Sequence, residues 1–261
     1  MARQLHLRNH RPRRLLSAVA VVLAGLASSL SGCGEFAAAS RNADGVKLYD
    51  QARYQEALAQ FQEAAYNDPR SADADYNRAA VCHRMGKQQH CQSDLQQAEC
   101  YYHLCLDKDP SHTDCYRGLA VLLAEQGRSQ EAFQLLEGWV QRQPCMADAR
   151  IELARLNEEF GNRQAAETQL LAAIEVEPDS ARAWAAKGRL RELAGDNAQA
   201  VANYQRSLYQ DQHQPELVAR VNTLQGRPAT ASPTSPTSPM PSAPAIDMGT
   251  RMADRTQAPA K

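Results

Sequence analysis

Three things are missing from this sequence, and each excludes a class of function. There is no excess of one charge: 29 Lys+Arg face 30 Asp+Glu over 261 residues. Five of the arginines (Arg3, Arg8, Arg11, Arg13 and Arg14) crowd the N terminus, so the remaining body is about six charges negative. Phosphate binding needs a concentrated basic surface, and nucleic acid is therefore excluded as the expected partner. Nor is there an apolar run of the roughly 20 residues that a spanning helix requires, since the longest, Leu15 to Leu30, has 16. Finally, the chain has no glycine-rich phosphate loop, no His-Glu-x-x-His, no Gly-x-Ser-x-Gly and no Cys-x-x-Cys. No cofactor, metal site, small-molecule substrate or enzymatic reaction is expected on that basis.

What is present falls into segments. A basic start, a short apolar stretch and then Leu30-Ser31-Gly32-Cys33 form the layout of an export signal over residues 1–32. The tetrapeptide resembles the bacterial lipobox. That resemblance implies diacylation of Cys33, cleavage before it, and a lipid anchor in a bacterial envelope membrane. Gly34, rather than an aspartate, after the cysteine implies the outer membrane, facing the periplasm. Residues 33–41 are then expected as a short spacer.

The body repeats itself. Pro69, Pro110, Pro144 and Pro178 recur at intervals of 41, 34 and 34 residues, and Ala57, Ala98, Ala132, Ala166 and Ala200 keep the same beat. Four residues after each alanine stands Phe61, Tyr102, Leu136, Leu170 or Tyr204. A second small position reads Gly45, Ala79, Ala120, Ala154 and Gly188, and a turn position reads Ala52, Gly86, Gly127, Gly161 and Gly195. Small residues let paired helices approach closely, glycine closes the turn, and proline stops the second helix. This pattern is similar to the tetratricopeptide repeat. The resemblance implies an all-α, right-handed superhelical α-solenoid over residues 42–224, with about five helix-turn-helix units and a capping helix from Pro215 to about Leu224. Asp44, where an apolar residue is expected, weakens the first helix.

Two regions stand outside the regular beat. Seven extra residues fall in the second repeat, near 87–97, and fit a longer loop, two lengthened helices or a protruding contact element. From residue 225 to 261 the chain is rich in Pro, Ser and Thr and has almost nothing to bury, so it is expected to be disordered.

Cysteine and histidine crowd residues 82–115: Cys82, His83, His90, Cys91, Cys100, His103, Cys105, His112 and Cys115. Three roles fit them. They are buried core thiols, disulfides in an oxidising compartment, or a metal- or redox-responsive module. The disulfide candidates are Cys82 with Cys91 or Cys100 across the lengthened hairpin, and Cys115 with Cys145. Cys105 falls at a core position of the repeat.

In tetratricopeptide arrays the first helix of each repeat lines a concave groove for extended peptides. The resemblance places Tyr76, Asn77, His83, Arg84, Arg117, Val121, Ile151, Arg155 and Arg189 there, with Glu125, Glu158 and Glu192 among them. The family's two-carboxylate clamp is matched only by Asn77, whereas Val46, Asp114 and Gly118 depart from it. The function implied is a non-enzymatic scaffold that binds other proteins or peptides at the envelope, as in the assembly of a pilus or secretin.

Overall fold

A computed structural model describes Gly34 and residues 36–226. The segment expected to be an export signal, Cys33, and the residues beyond Gly226 expected to be disordered lie outside the described residues. Among the described residues every regular element is a helix, and there are eleven. They pair as α1 (36–50) with α2 (Tyr54–Asn67), α3 (Ala72–Gln89) with α4 (Gln92–Lys108), α5 (Thr113–Glu125) with α6 (Ser129–Arg142), α7 (Ala147–Glu159) with α8 (Arg163–Val176), and α9 (Ala181–Leu193) with α10 (Asn197–Gln210). Last comes α11 (Pro215–Leu224). None of the helices is long and apolar enough to cross a membrane.

The start and stop signals work as the sequence chemistry requires. Ser71 and Ser180 cap α3 and α9 with their hydroxyls, and Asp196 caps α10 with its carboxylate. Asp68, Asp109, Gln143 and Glu177 each end a helix and precede a proline, which disfavours helical backbone in the residue before it. Gly127, Gly161 and Gly195 hold positive φ between the paired helices, a conformation glycine takes without strain. All five repeat alanines are fully buried. Close approach is real at Gly188, where a Cβ would meet the Tyr204 ring at 2.4 Å.

Each helix packs on its sequence neighbours, and the first helices of successive repeats also touch, α3 on α5, α5 on α7 and α7 on α9. That extra contact draws the first helices together and bends the stack around them, which puts them on the inner wall of a solenoid. At the end, α11 packs on α10 through Val221 and turns Glu216 to solvent.

Two expectations need correction. Helix α1 already runs through residues 36–41, in the stretch expected as spacer; Ala37, Ala38 and Ala39 favour helix, and Ala38 is buried. Gly86 is not a turn residue. It lies inside α3, where a Cβ would meet Leu95 at 2.7 Å, and the left-handed turn residue is His90 at φ 52°. The seven extra residues are therefore built as helix. The second repeat has helices of 18 and 17 residues where the next three have 13 and 14, and its turn is one residue shorter. The hairpin tip overhangs the following repeat and leaves a depression of about 520 Å³ over Leu95, Leu122 and Gln126.

Candidate functional site

The inner wall formed by α5, α7 and α9 carries a chain of charges that pair from one repeat to the next. Its centre is Glu152 on α7, whose side chain is only 3% exposed. Arg117 of α5 donates to it from Nε, 3.1 Å from each carboxylate oxygen, and from Nη2 at 2.6 Å; Nη1 turns to Asp114 at 2.6 Å. From the other side Arg182 of α9 donates to the same carboxylate at 2.6 Å and pairs with Asp148, which also accepts from Thr113 Oγ1 at 3.2 Å. Arg117 and Glu152 are 35 residues apart, and Asp148 and Arg182 are 34 apart. The repeat length itself brings these opposite charges face to face.

Burial pushes the Glu152 carboxyl up, but hydrogen bonding to Arg117 and the charges of Arg117, Arg182 and Arg155 hold it below the usual carboxylate range. Burial likewise pulls the Arg117 guanidinium down, and Glu152 with Asp114 reverses that, leaving Arg117 raised. Further along, Arg189 pairs with Glu158 at 2.9 Å. At the other end of the wall Glu125 accepts from Lys87 at 2.6 Å and bonds His83 Nε2 at 3.0 Å. The His83 contact, ahead of Lys87, lowers the Glu125 carboxyl to about 2.

Between α7, α8 and α9 these charges rim a depression of about 300 Å³. Ile151, Ala154, Leu170 and Ala186 form its apolar floor, and Arg155, Arg182 and Arg189 stand around it with Glu152 and Glu158. A smaller hollow beside it is lined by Arg117, Val121 and Arg155. A cleft of this kind offers guanidinium donors beside aliphatic surface, the combination that binds an extended chain through both its polar and apolar groups.

Two tetratricopeptide-repeat models match the sequence, one over residues 43–89 and 92–145 and the other over residues 123–190, together more than half of the chain. The chain belongs to the tetratricopeptide-repeat family. TTC0263, a thermophilic tetratricopeptide-repeat protein of Thermus thermophilus, is 23% identical, with 72% of this chain and 99% of that chain covered at a TM-score of 0.55. PilW, a widely conserved type IV pilus biogenesis factor, is 16% identical over 72% of this chain and 86% of its own, at a TM-score of 0.47. The human protein O-mannosyl-transferase TMTC1 is 27% identical over 172 residues, 63% of this chain. This chain spans 18% of that relative's length. The Thermus structure shows the fold, an α-solenoid of tetratricopeptide repeats, and the family makes the chain a protein-interaction scaffold.

The repeats sort the expected groove residues into two groups. Ile151, Arg155 and Arg189 meet in the main depression, and Arg117 and Val121 meet Arg155 in the hollow beside it. Tyr76, Asn77 and His83 do not reach these hollows. Tyr76 is buried with its ring 5.3 Å from that of His112, Asn77 donates to Asn42 at 2.7 Å, and His83 lies against Glu125 and the Tyr102 ring. Arg84 is half-buried on the same helix. Glu152, Arg182 and Asp148 are not singled out by the sequence. Their groove-facing repeat positions are the available signal, but pairing between repeats is invisible within one.

The cysteines also differ from expectation. The disulfide joins Cys105, at the end of α4, to Cys115, at the start of α5, with Cα atoms 6.6 Å apart. Cys115 is thus not paired with Cys145, and Cys82, Cys91 and Cys100 are free, as is Cys145. The tight turn through Pro110 returns the chain so that the two ends face each other, whereas Cys145 sits exposed after α6. Burial pushes the Cys82 thiol up to about 12, so at neutral pH it is protonated and a poor nucleophile. His112 lies with Cys105 and Cys115, all within 4.8 Å and buried, yet its two nitrogens are both engaged. Nδ1 accepts from the Cys115 backbone N–H at 3.2 Å and Nε2 donates to Asp73 at 3.0 Å. The group is a bridge and a histidine helix cap, with both sulfurs and both ring nitrogens committed.

Proposed function

We propose that this protein is a lipid-anchored, non-enzymatic scaffold of a bacterial envelope, held by Cys33 in the outer membrane and facing the periplasm, that presents its inner wall to extended segments of partner proteins. The depression between α7 and α9 carries this proposal: arginines at repeat spacing over an aliphatic floor suit a peptide main chain and its side chains. No reaction chemistry is assigned to it. Helix begins by residue 36, three positions after Cys33, and at about 3.5 Å per residue this keeps the start of the array within roughly 10 Å of the bilayer. Partners embedded in or resting on the membrane suit that distance, among them the components of an assembling pilus or secretin.

Two measurements test it. A photo-crosslinking residue at Ala186, in the depression, is expected to trap a partner protein in envelope membranes, while one at Leu171, exposed on α8, is not. Trapping from Leu171 alone would move docking to the outer helices and overturn the groove assignment. Intact mass of membrane-purified protein is expected to start at Cys33 with added acyl chains. Full-length, unmodified protein would remove the anchor.

A further inference from the structure

Four arginines face the inner wall, and the protein itself satisfies three. Arg117 has Asp114 and Glu152, Arg182 has Asp148 and Glu152, and Arg189 has Glu158. Arg155 is different. Its side chain is about as buried as that of Arg117, 26% against 23% exposed, yet its one ion-pair contact is to Glu152 at 3.9 Å. That is beyond hydrogen-bond length. Its Nε, moreover, is buried with no hydrogen-bond partner. The two guanidinium groups diverge accordingly: desolvation lowers Arg155 and its neighbours do not restore it, whereas Arg117 is raised by its carboxylates. A partly buried cation with a buried, unpartnered N–H is unfavourable until something supplies the missing acceptor.

Arg155 lies where the main depression meets the smaller hollow, beside the floor of Ile151, Ala154, Leu170 and Ala186. The carboxylates nearby do not fill its need. Glu152 is taken by Arg117 and Arg182 and Glu158 by Arg189, while Glu159, on the rim of the smaller hollow, acts on Arg155 only through its charge and forms no ion pair with it. On the reading of this groove as a peptide-binding surface, we propose that Arg155 is its anion-recognising residue, and that the partner is an extended segment with a carboxylate beside an aliphatic side chain. The carboxylate replaces the missing acceptors, and the side chain covers the floor. Its source is an aspartate or glutamate side chain or a chain end.

The test uses the full-length protein on an array of octapeptides that share a leucine among random small residues. One set carries glutamate beside the leucine and is amidated at its end; its counterpart carries glutamine. A third set ends on the leucine with a free carboxylate, and a fourth ends on its amide. A carboxylate set is expected to bind about tenfold more strongly than its amide counterpart, and the set that does so identifies the source. The preference is expected to vanish in Arg155→Met, to persist in part in Arg155→Lys, and to be untouched in Arg53→Met, far from the groove. Equal binding of carboxylate and amide sets, or a preference that survives Arg155→Met in a variant of unchanged helicity, overturns the role of Arg155 and leaves the groove standing. If no set binds the wild type, the peptide groove itself fails, and the role of Arg155 with it.

Discussion

The second and third repeats are held together differently from the fourth and fifth, although all follow one register. Between α3 and α7 a single core cluster runs through Tyr76, Tyr102, Tyr116, Leu119, Leu122 and Trp139, and the Cys105–Cys115 disulfide lies inside it. Between α7 and α9 the buried surface is mostly alanine, with Ile151, Leu170 and Leu190, and beside it the ion pairs Arg182–Glu152 and Arg189–Glu158 join the two repeats. One junction is packed and stapled. The other keeps its charges on an open wall with a depression at its centre. Large side chains and a covalent bridge fix geometry at the expense of free surface, whereas small side chains leave polar groups available to a ligand.

The two tryptophans of the chain put the sharpest test on that contrast. Trp139 is buried, stacked on Tyr116 with centroids 4.0 Å apart, and donates to Gln143 at 3.0 Å. Trp139→Ala is expected to cost about 3–5 kcal/mol, read as a shift of the urea midpoint. A loss near that of an exposed residue would show that the packed junction does not hold the array. Next in size is the bridge. Cys105→Ala with Cys115→Ala is expected to cost about 2–3 kcal/mol, as closing a loop of 10 residues predicts. Reductant should lower the melting temperature of the wild type and leave that of the double variant unchanged.

Trp184 is the smaller counterpart. Half-buried on α9, it donates to the Pro178 carbonyl at 2.8 Å and lies beneath the cations of Lys187 and Arg206. Trp184→Ala should cost only about 1 kcal/mol, the scale of exposed cation–π contacts. A cost equal to that of Trp139→Ala would erase the distinction between the junctions. The smallest effect is one of pH. The Glu125 carboxyl is held at about 2, below an ordinary 4.5, by His83 and then Lys87. A lowered carboxyl contributes stability that is present above about 4.5 and lost as pH falls from there toward about 2. The stability difference between wild type and Glu125→Gln should shrink across that window. A constant offset down to pH 2 would contradict the ion pair.

Much of this is legible in the chain. The repeat alanines stand out by spacing alone and are all fully buried, because a residue that must sit between two close helices has no alternative to being small. The second repeat is legible in length but not in form. Seven residues can be looped out or wound into helix, and it is packing of the long α3 along α4, with Leu95 against Gly86, that decides for helix. The cysteines show the same limit. Repeat position assigns Cys105 to the core, where it is indeed fully buried, but register gives burial and says nothing of which sulfur lies opposite. Glu152 is the counterpart in the groove, a charged residue at a surface-facing position that two neighbouring repeats bury.

The sequence by itself determined the repeat, its helices and their caps, since those depend on residue size, backbone freedom and hydrogen bonds within one unit of 34 residues. Only the tertiary structure decided the Cys105–Cys115 bridge, the helical build of the long hairpin and the unmet hydrogen bond of Arg155 Nε. Each of these depends on distances between groups in different helices, most of them in different repeats, and the stacking of the solenoid, not the order of residues, sets such distances.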